Sequence, residues 1–182
     1  MHEIDPSKEL RLLLAFFGES RLPRCCEVEP ADIPQPYRRL LVHDGHMTVT
    51  LEKHYGSAVK VEPYLVHRQG DLYGRLLDLR AEASDVVVMT GILLINLNIC
   101  GAEVRDLILS ERVPLGRILI EHKILRRVTT DTFLRVEADD ALARRFGFAE
   151  PVPAYGRFAT IFYEGRPAVD LLEIVRPADG SS

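Results

Sequence analysis

Apolar and polar residues alternate along 57–68 and 73–79, and this pattern predicts two β-strands with one buried face each. The segment 85–96 is apolar almost throughout, which is typical of a strand in the interior of a sheet. Three further segments have the composition of strands: 129–136, 155–163 and 168–175. Glu164-Gly165, between the last two, indicates a hairpin turn.

Helical spacing occurs between and before these strands. Apolar residues from 40 to 55 recur at helical intervals, but Gly45 weakens the pattern, so a helix interrupted by a break is predicted there. Shorter helices are predicted at 10–17, 101–111, 117–125 and 139–146. Strands and helices do not alternate regularly along the chain. The sequence therefore predicts an α+β fold, a single domain with a mainly antiparallel β-sheet and helices packed on one side.

The domain organisation follows from length and from the distribution of prolines. The 182 residues suit one domain. Four prolines between residues 23 and 36 break the chain into irregular structure, so residues 1–39 are interpreted as an N-terminal extension packing on a domain at 40–177. Residues 178–182 are interpreted as a disordered tail. The charged N-terminus and the lack of a long apolar stretch predict a soluble protein without a membrane partner.

Composition and charge narrow the function. A net charge of −4 and a pI near 5.9 give no reason to expect a nucleic-acid partner. Three cysteines, two of them adjacent, argue against a secreted disulfide framework and favour the cytoplasm. His43 and His46 lack further ligands at suitable spacing, so no metal is expected, and both are expected to cap or pack near a helix start. Cys100 and Ser110 have no organised base that would make either a nucleophile.

Four motifs resemble those of the chorismate pyruvate-lyase family, in the same order and over residues 40–177. They are LLVHDGHMTVTLEKHYG at Leu40 to Gly56, YGRLLDL at Tyr73 to Leu79, VPLGRIL at Val113 to Leu119 and LLEIVRP at Leu171 to Pro177. The resemblance implies the chorismate lyase-like fold. It also implies a carbon–oxygen lyase that converts chorismate to 4-hydroxybenzoate and pyruvate without a cofactor.

The resemblance also implies roles for four residues. Arg75 would bind a substrate carboxylate, because a guanidinium offers a planar fork of donors. Glu173 would handle the proton, so Arg75 and Glu173 are the expected catalytic residues. The backbone groups of Met47 and Leu115 would contact substrate oxygens while their side chains line the pocket. Alternation places Arg75 on the same strand face as Tyr73 and Leu77, but from the residues alone a surface arginine paired with an acid is the favoured interpretation. For Glu173, alternation allows a solvent-facing position equally well.

Several alternatives stay open at this point. The C-terminal hairpin is one residue longer than in the family, so Asp170 could replace Glu173 as the pocket carboxylate. Arg126 or Arg127 could add charge to the pocket or form a solvated pair. The substrate could be isochorismate or an amino analogue, and the protein could be a monomer or a homodimer.

A non-catalytic binding protein for an aromatic carboxylate is the second functional class. The same fold resembles effector domains of transcription regulators, which usually follow a winged helix. Only about forty residues precede the shared region and they show no recognition helix, so a regulator is not expected.

Overall fold

The computed structural model describes residues 24–124 and 126–177, without the side chain of Arg126. Seven strands are β1 (Cys25–Glu27), β2 (Val59–Gln69), β3 (Leu72–Ala81), β4 (Val87–Asn96), β5 (Arg126–Val136), β6 (Ala154–Tyr163) and β7 (Arg166–Val175). The α-helices are α1 (Tyr37–Leu41), α2 (Met47–Tyr55), α3 (Ala102–Leu109), α4 (Leu115–Glu121) and α5 (Asp140–Phe146). Two 3₁₀-helices lie at Pro30–Asp32 and Leu97–Ile99. Within these residues, no helix is long and apolar enough to cross a membrane.

The strands form one sheet in the order β1-β5-β6-β7-β4-β3-β2, and every neighbouring pair is antiparallel. β4 lies between β3 and β7, which explains why its sequence is apolar almost throughout. The predicted α+β fold with an antiparallel sheet is confirmed.

Most of the core lies between one face of the sheet and the helices α1 to α4. Leu40 and Leu51 from α1 and α2, and Ile108 and Ile118 from α3 and α4, are almost fully buried there. A smaller cluster lies on the opposite face, where Leu142 and Phe146 of α5 pack with residues such as Leu172 and Ile174. Because successive strand residues point to opposite faces, Glu173 belongs to the face that α1 to α4 cover.

The predicted break in the first long helical segment is confirmed, because α1 ends at Leu41 and α2 begins at Met47. His43 closes the turn between the two helices. Its Nδ1 accepts a hydrogen bond from the Gly45 N–H at 3.1 Å, so Nε2 carries the hydrogen and donates to the Leu40 carbonyl at 2.7 Å. This agrees with the expected packing role of His43 near the helix start.

The boundaries predicted for the domain and its extensions remain predictions. The helix predicted at 10–17 and the tail at 178–182 lie outside the described residues. Part of the predicted extension belongs to the same sheet, since Cys25–Glu27 pairs with β5. Ile33 and Tyr37 also join the main core.

Candidate functional site

A cavity lies between the helix-covered face of the sheet and the first turns of α2 and α4. About 60 Å³ of it is open to the centres of water molecules. This corresponds to roughly four to six waters, or about 120–180 Å³ of liquid water. The cavity therefore has room for one six-membered ring with small substituents. It is lined by all four residues that the family resemblance singles out, Met47, Arg75, Leu115 and Glu173.

Arg75 reaches this cavity because strand alternation on β3 places it on the same face as Tyr73 and Leu77, as predicted. The residue is only 1% exposed, and its Nε and Nη1 atoms have no hydrogen-bond partner within the described structure. Burial lowers the pKa of the Arg75 guanidinium from its ordinary value, while Tyr73 acts in the opposite direction. Arg75 nevertheless stays charged, because the ordinary guanidinium pKa lies so far above neutrality.

Tyr73 lies beside Arg75 and fixes the loop that leads into α4. Its hydroxyl donates a hydrogen bond to Oε1 of Glu111 at 2.9 Å. Burial is the main reason that the pKa of Tyr73 is raised to about 12. The neutral phenol is therefore the native form at neutral pH, and it links β3 to the segment just before Pro114.

Glu173 is buried, but its carboxylate is already engaged. Arg157, on the neighbouring strand β6, donates from Nε to Oε2 of Glu173 at 2.7 Å. Nη1 of Arg157 also donates to the carbonyls of Leu41 and His43, both at 2.9 Å. The ion pair thus ties two strands to the turn between α1 and α2.

Met47 and Leu115 occupy the first positions of α2 and α4, and no side chain caps either helix start by a hydrogen bond. The two helix starts lie close together. A Cβ atom added to Gly116 would lie 2.8 Å from Oγ1 of Thr48, so only glycine allows this approach without displacement. The side chains of Met47 and Leu115 line the cavity and are also buried in the main core.

Two of the alternative site residues, Asp170 and Arg127, lie elsewhere, and the side chain of Arg126 lies outside the described part of the structure. Asp170 does not line the cavity, and its Oδ1 accepts a hydrogen bond from Thr160 at 3.3 Å. Of these two carboxylates, Glu173 is the one that lines the cavity. Arg127 is exposed and its guanidinium lies 4.8 Å from the centre of the Phe162 ring, so it adds no charge to the cavity.

Arg157 is the functional candidate that sequence reasoning missed. It sits in the apolar segment 155–163, where strand alternation assigns it to the face of Tyr155 and Ala159. The same signal that identified Arg75, a charged residue on an apolar strand face, was present at this position. A group of three or more His, Cys, Asp or Glu side chains able to hold a metal ion does not occur among the residues that the structure describes.

Comparison with known proteins supports the fold. No family model and no curated protein matches the chain. Among solved structures, PhnF from Mycobacterium smegmatis is similar over 79% of this chain and 72% of its own, with 11% identity and a TM-score of 0.55. The ligand-binding domain of a Bordetella bronchiseptica protein assigned to the GntR family of transcriptional regulators covers 64% of this chain and 85% of its own, with 13% identity and a TM-score of 0.49.

A third similar structure is the C-terminal domain of the histidine utilization repressor from Pseudomonas syringae. It covers 68% of this chain and 97% of its own, with 8% identity and a TM-score of 0.44. At these identities the likeness shows the fold alone, and the chain has the chorismate lyase-like α+β fold.

The expectation of a carbon–oxygen lyase is corrected by this comparison, because the Bordetella structure is the ligand-binding domain of a regulator, the Pseudomonas structure is a domain of a repressor, and neither is a lyase. Glu173, the expected proton-handling group, has its Oε2 held by Arg157 within the buried ion pair.

Proposed function

We propose that this protein is a non-catalytic binding module for a small molecule that carries a carboxylate on an aromatic or similarly flat apolar body. The observation that carries this proposal is Arg75, whose guanidinium is almost fully buried while Nε and Nη1 lack hydrogen-bond partners within the described structure. A buried donor left unpaired costs about 1–3 kcal/mol, and more when it is charged. A ligand that satisfies both atoms recovers this cost on binding.

The charge balance of the cavity favours an anionic ligand. Arg75 and Arg157 bring two positive charges to the lining, and Glu173 brings one negative charge. No other Asp, Glu, Lys or Arg lines the cavity among the described residues. Because Glu173 already pairs with Arg157, the excess positive charge resides on Arg75. A carboxylate matches the planar fork of this guanidinium and neutralises it.

The apolar lining favours a flat hydrocarbon body next to the carboxylate. Leu77, Met89, Leu93 and Ile161 contribute buried side chains to the walls. The uncapped first turn of α2 adds backbone N–H groups and the positive end of a helix dipole. These features support an aromatic carboxylate over a fully polar anion. The description of one structural neighbour as a ligand-binding domain also supports the proposal.

Isothermal titration calorimetry with a matched pair of ligands tests this proposal. We expect 4-hydroxybenzoate to bind, and its neutral amide to bind at least about tenfold more weakly, because hydrogen bonds to charged groups are worth about 1.5–3 kcal/mol. Chorismate, incubated with the protein and recovered by chromatography, should be unchanged. Equal affinities for acid and amide, or no binding of either, would refute the proposal.

Variants at two arginines complete the test. Arg75→Met should weaken carboxylate binding by about 10- to 150-fold, since the fork is lost while the side-chain volume is nearly retained. Arg127→Met is the matched control, because Arg127 is exposed and lies outside the cavity. Its affinity should equal that of the unmodified protein. An Arg75→Met protein that binds 4-hydroxybenzoate normally would remove Arg75 from the site.

A further inference from the structure

A second cavity lies on the same face of the sheet, beneath α3 and α4. Val104 of α3 and Leu119 of α4 cover it, and strand residues including Val169 form its floor. Ile161 lines both cavities, so this side chain is the wall that they share. The second cavity otherwise has its own lining and includes neither Arg75 nor Glu173.

The lining of this second cavity carries no charge. Among the described residues that form it, only Cys100 and Tyr163 have polar side-chain atoms. About 110 Å³ is open to the centres of water molecules, corresponding to roughly seven to eleven waters. Each buried water needs two to four polar partners. The hydrogen bonds of seven to eleven waters would therefore be poorly satisfied in this lining. An apolar occupant gains by burying its surface and requires no such partners.

We propose that this cavity is a second binding site, which takes an uncharged apolar group at least as large as a benzene ring. The group could be a free apolar molecule or the tail of a carboxylate held at Arg75. Only the second source rests on the proposed function, because the lining beneath α3 and α4 is independent of Arg75. Ile161 is the side chain past which such a tail would reach.

Cys100 reports on occupancy, because it is a free, partly buried cysteine that lines the cavity. Burial raises the pKa of its thiol, so its modification by a small neutral thiosulfonate is followed at mildly alkaline pH. The full chain is treated with and without benzene, and the rate at each cysteine is read by peptide mass spectrometry. We expect benzene near its aqueous saturation to slow the modification of Cys100 by about fivefold or more. Cys25 and Cys26, on β1, are internal controls whose rates should not change.

A variant that fills the cavity makes the test specific. Ala168→Leu places three extra carbons against the lining, and Val104→Leu is a smaller change for use if the first protein is unstable. Either should reduce benzene protection at least about threefold. Absence of protection in the unmodified protein, or equal protection in folded filled variants, would overturn the proposal.

The two sources of the apolar group are distinguished with 3-phenylpropionate. Protection by this acid that is lost in Arg75→Met indicates the tail of an anchored carboxylate. Protection by benzene that survives in Arg75→Met, with none from the acid, indicates a free apolar molecule. Protection by benzene also supports the second site if 4-hydroxybenzoate fails to bind, so failure of the proposed function is seen separately.

Discussion

Arg75 and Arg157 are equally buried, at 1% exposure each, yet their replacement by methionine should have opposite effects on stability. Arg157 pairs with Glu173 and donates to two carbonyls, so its removal leaves a buried carboxylate uncompensated. Breaking a buried pair in this way costs about 3–5 kcal/mol. Arg75 has two donor atoms without partners, so burying its charge is unfavourable. Its replacement by methionine removes this desolvation cost and puts an apolar side chain in its place.

The expected magnitudes are large enough to measure by thermal unfolding without ligand. For a domain of this length, 1 kcal/mol shifts Tm by about 2–4 °C. Arg157→Met should therefore lower Tm by about 6–20 °C. Arg75→Met should leave Tm unchanged or raise it, since the substitution removes a buried charge with two donor atoms that lack partners.

The double variant Arg157→Met with Glu173→Leu provides the internal control. Because it removes both members of the pair, it should lose less stability than the sum of the two single variants. Arg127→Met should change stability by no more than about 0.5 kcal/mol, as an exposed substitution. If Arg75→Met destabilises the protein as much as Arg157→Met does, Arg75 is an ordinary satisfied core residue. Its role as an anchor held ready for a ligand would then be refuted.

Three further predictions concern backbone space and titration. Gly91→Ala should destabilise the protein by about 1–3 kcal/mol in urea unfolding, because its Cβ would lie 2.4 Å from a carbonyl oxygen of β7, whereas Gly45→Ala, with ordinary contacts, should cost less. The pKa of Tyr73 is raised to about 12, so its contribution to the free energy of unfolding is fully present below pH 10, the usual pKa of a tyrosine, and is lost as the pH rises towards 12. Tyr73→Phe should therefore lose less stability than the unmodified protein at alkaline pH. Burial and Arg157 lower the pKa of His43, so its stabilisation is present above pH 6.5 and is lost as pH falls through the lowered pKa; an NMR titration midpoint at or above 6.5 would contradict this.

The strands were predictable because burial on one face gives an alternating sequence pattern and burial on both faces gives a continuous apolar run. β2, β3 and β4 differ from the predicted segments by only a few residues at each end. α5 was predictable because Asp139 caps its start, accepting from the Leu142 N–H at 2.8 Å, and Gly147 ends it in the left-handed conformation. Capping and periodicity are local signals, so a single sequence contains them in full.

Features that depend on partners far away in the chain were harder to predict from the sequence. β1 has only three residues in a proline-rich segment, and it is a strand because β5 offers an edge 100 residues later in the chain. Gly91 lies within β4, where a Cβ atom would lie 2.4 Å from the carbonyl oxygen of Leu172 on β7. Which backbone comes close to a glycine depends on strand order, and local pattern does not contain strand order.

The candidate site shows the same division between local and distant information. Alternation on β3 predicted that Arg75 would share a face with Tyr73 and Leu77, and the residues named by the family resemblance line one cavity. The ion-pair partner of Glu173 was not predicted, because Arg157 lies sixteen residues earlier on a neighbouring strand. The carboxylate expected to handle a proton is one half of a buried ion pair, and its partner was not part of any motif. The motifs therefore identify the walls of the cavity, and the hydrogen-bond partners of each charged group determine what those walls can do. By that criterion Arg75, whose Nε and Nη1 lack hydrogen-bond partners within the described structure, is the group at this cavity that a ligand would pair with under the proposed function.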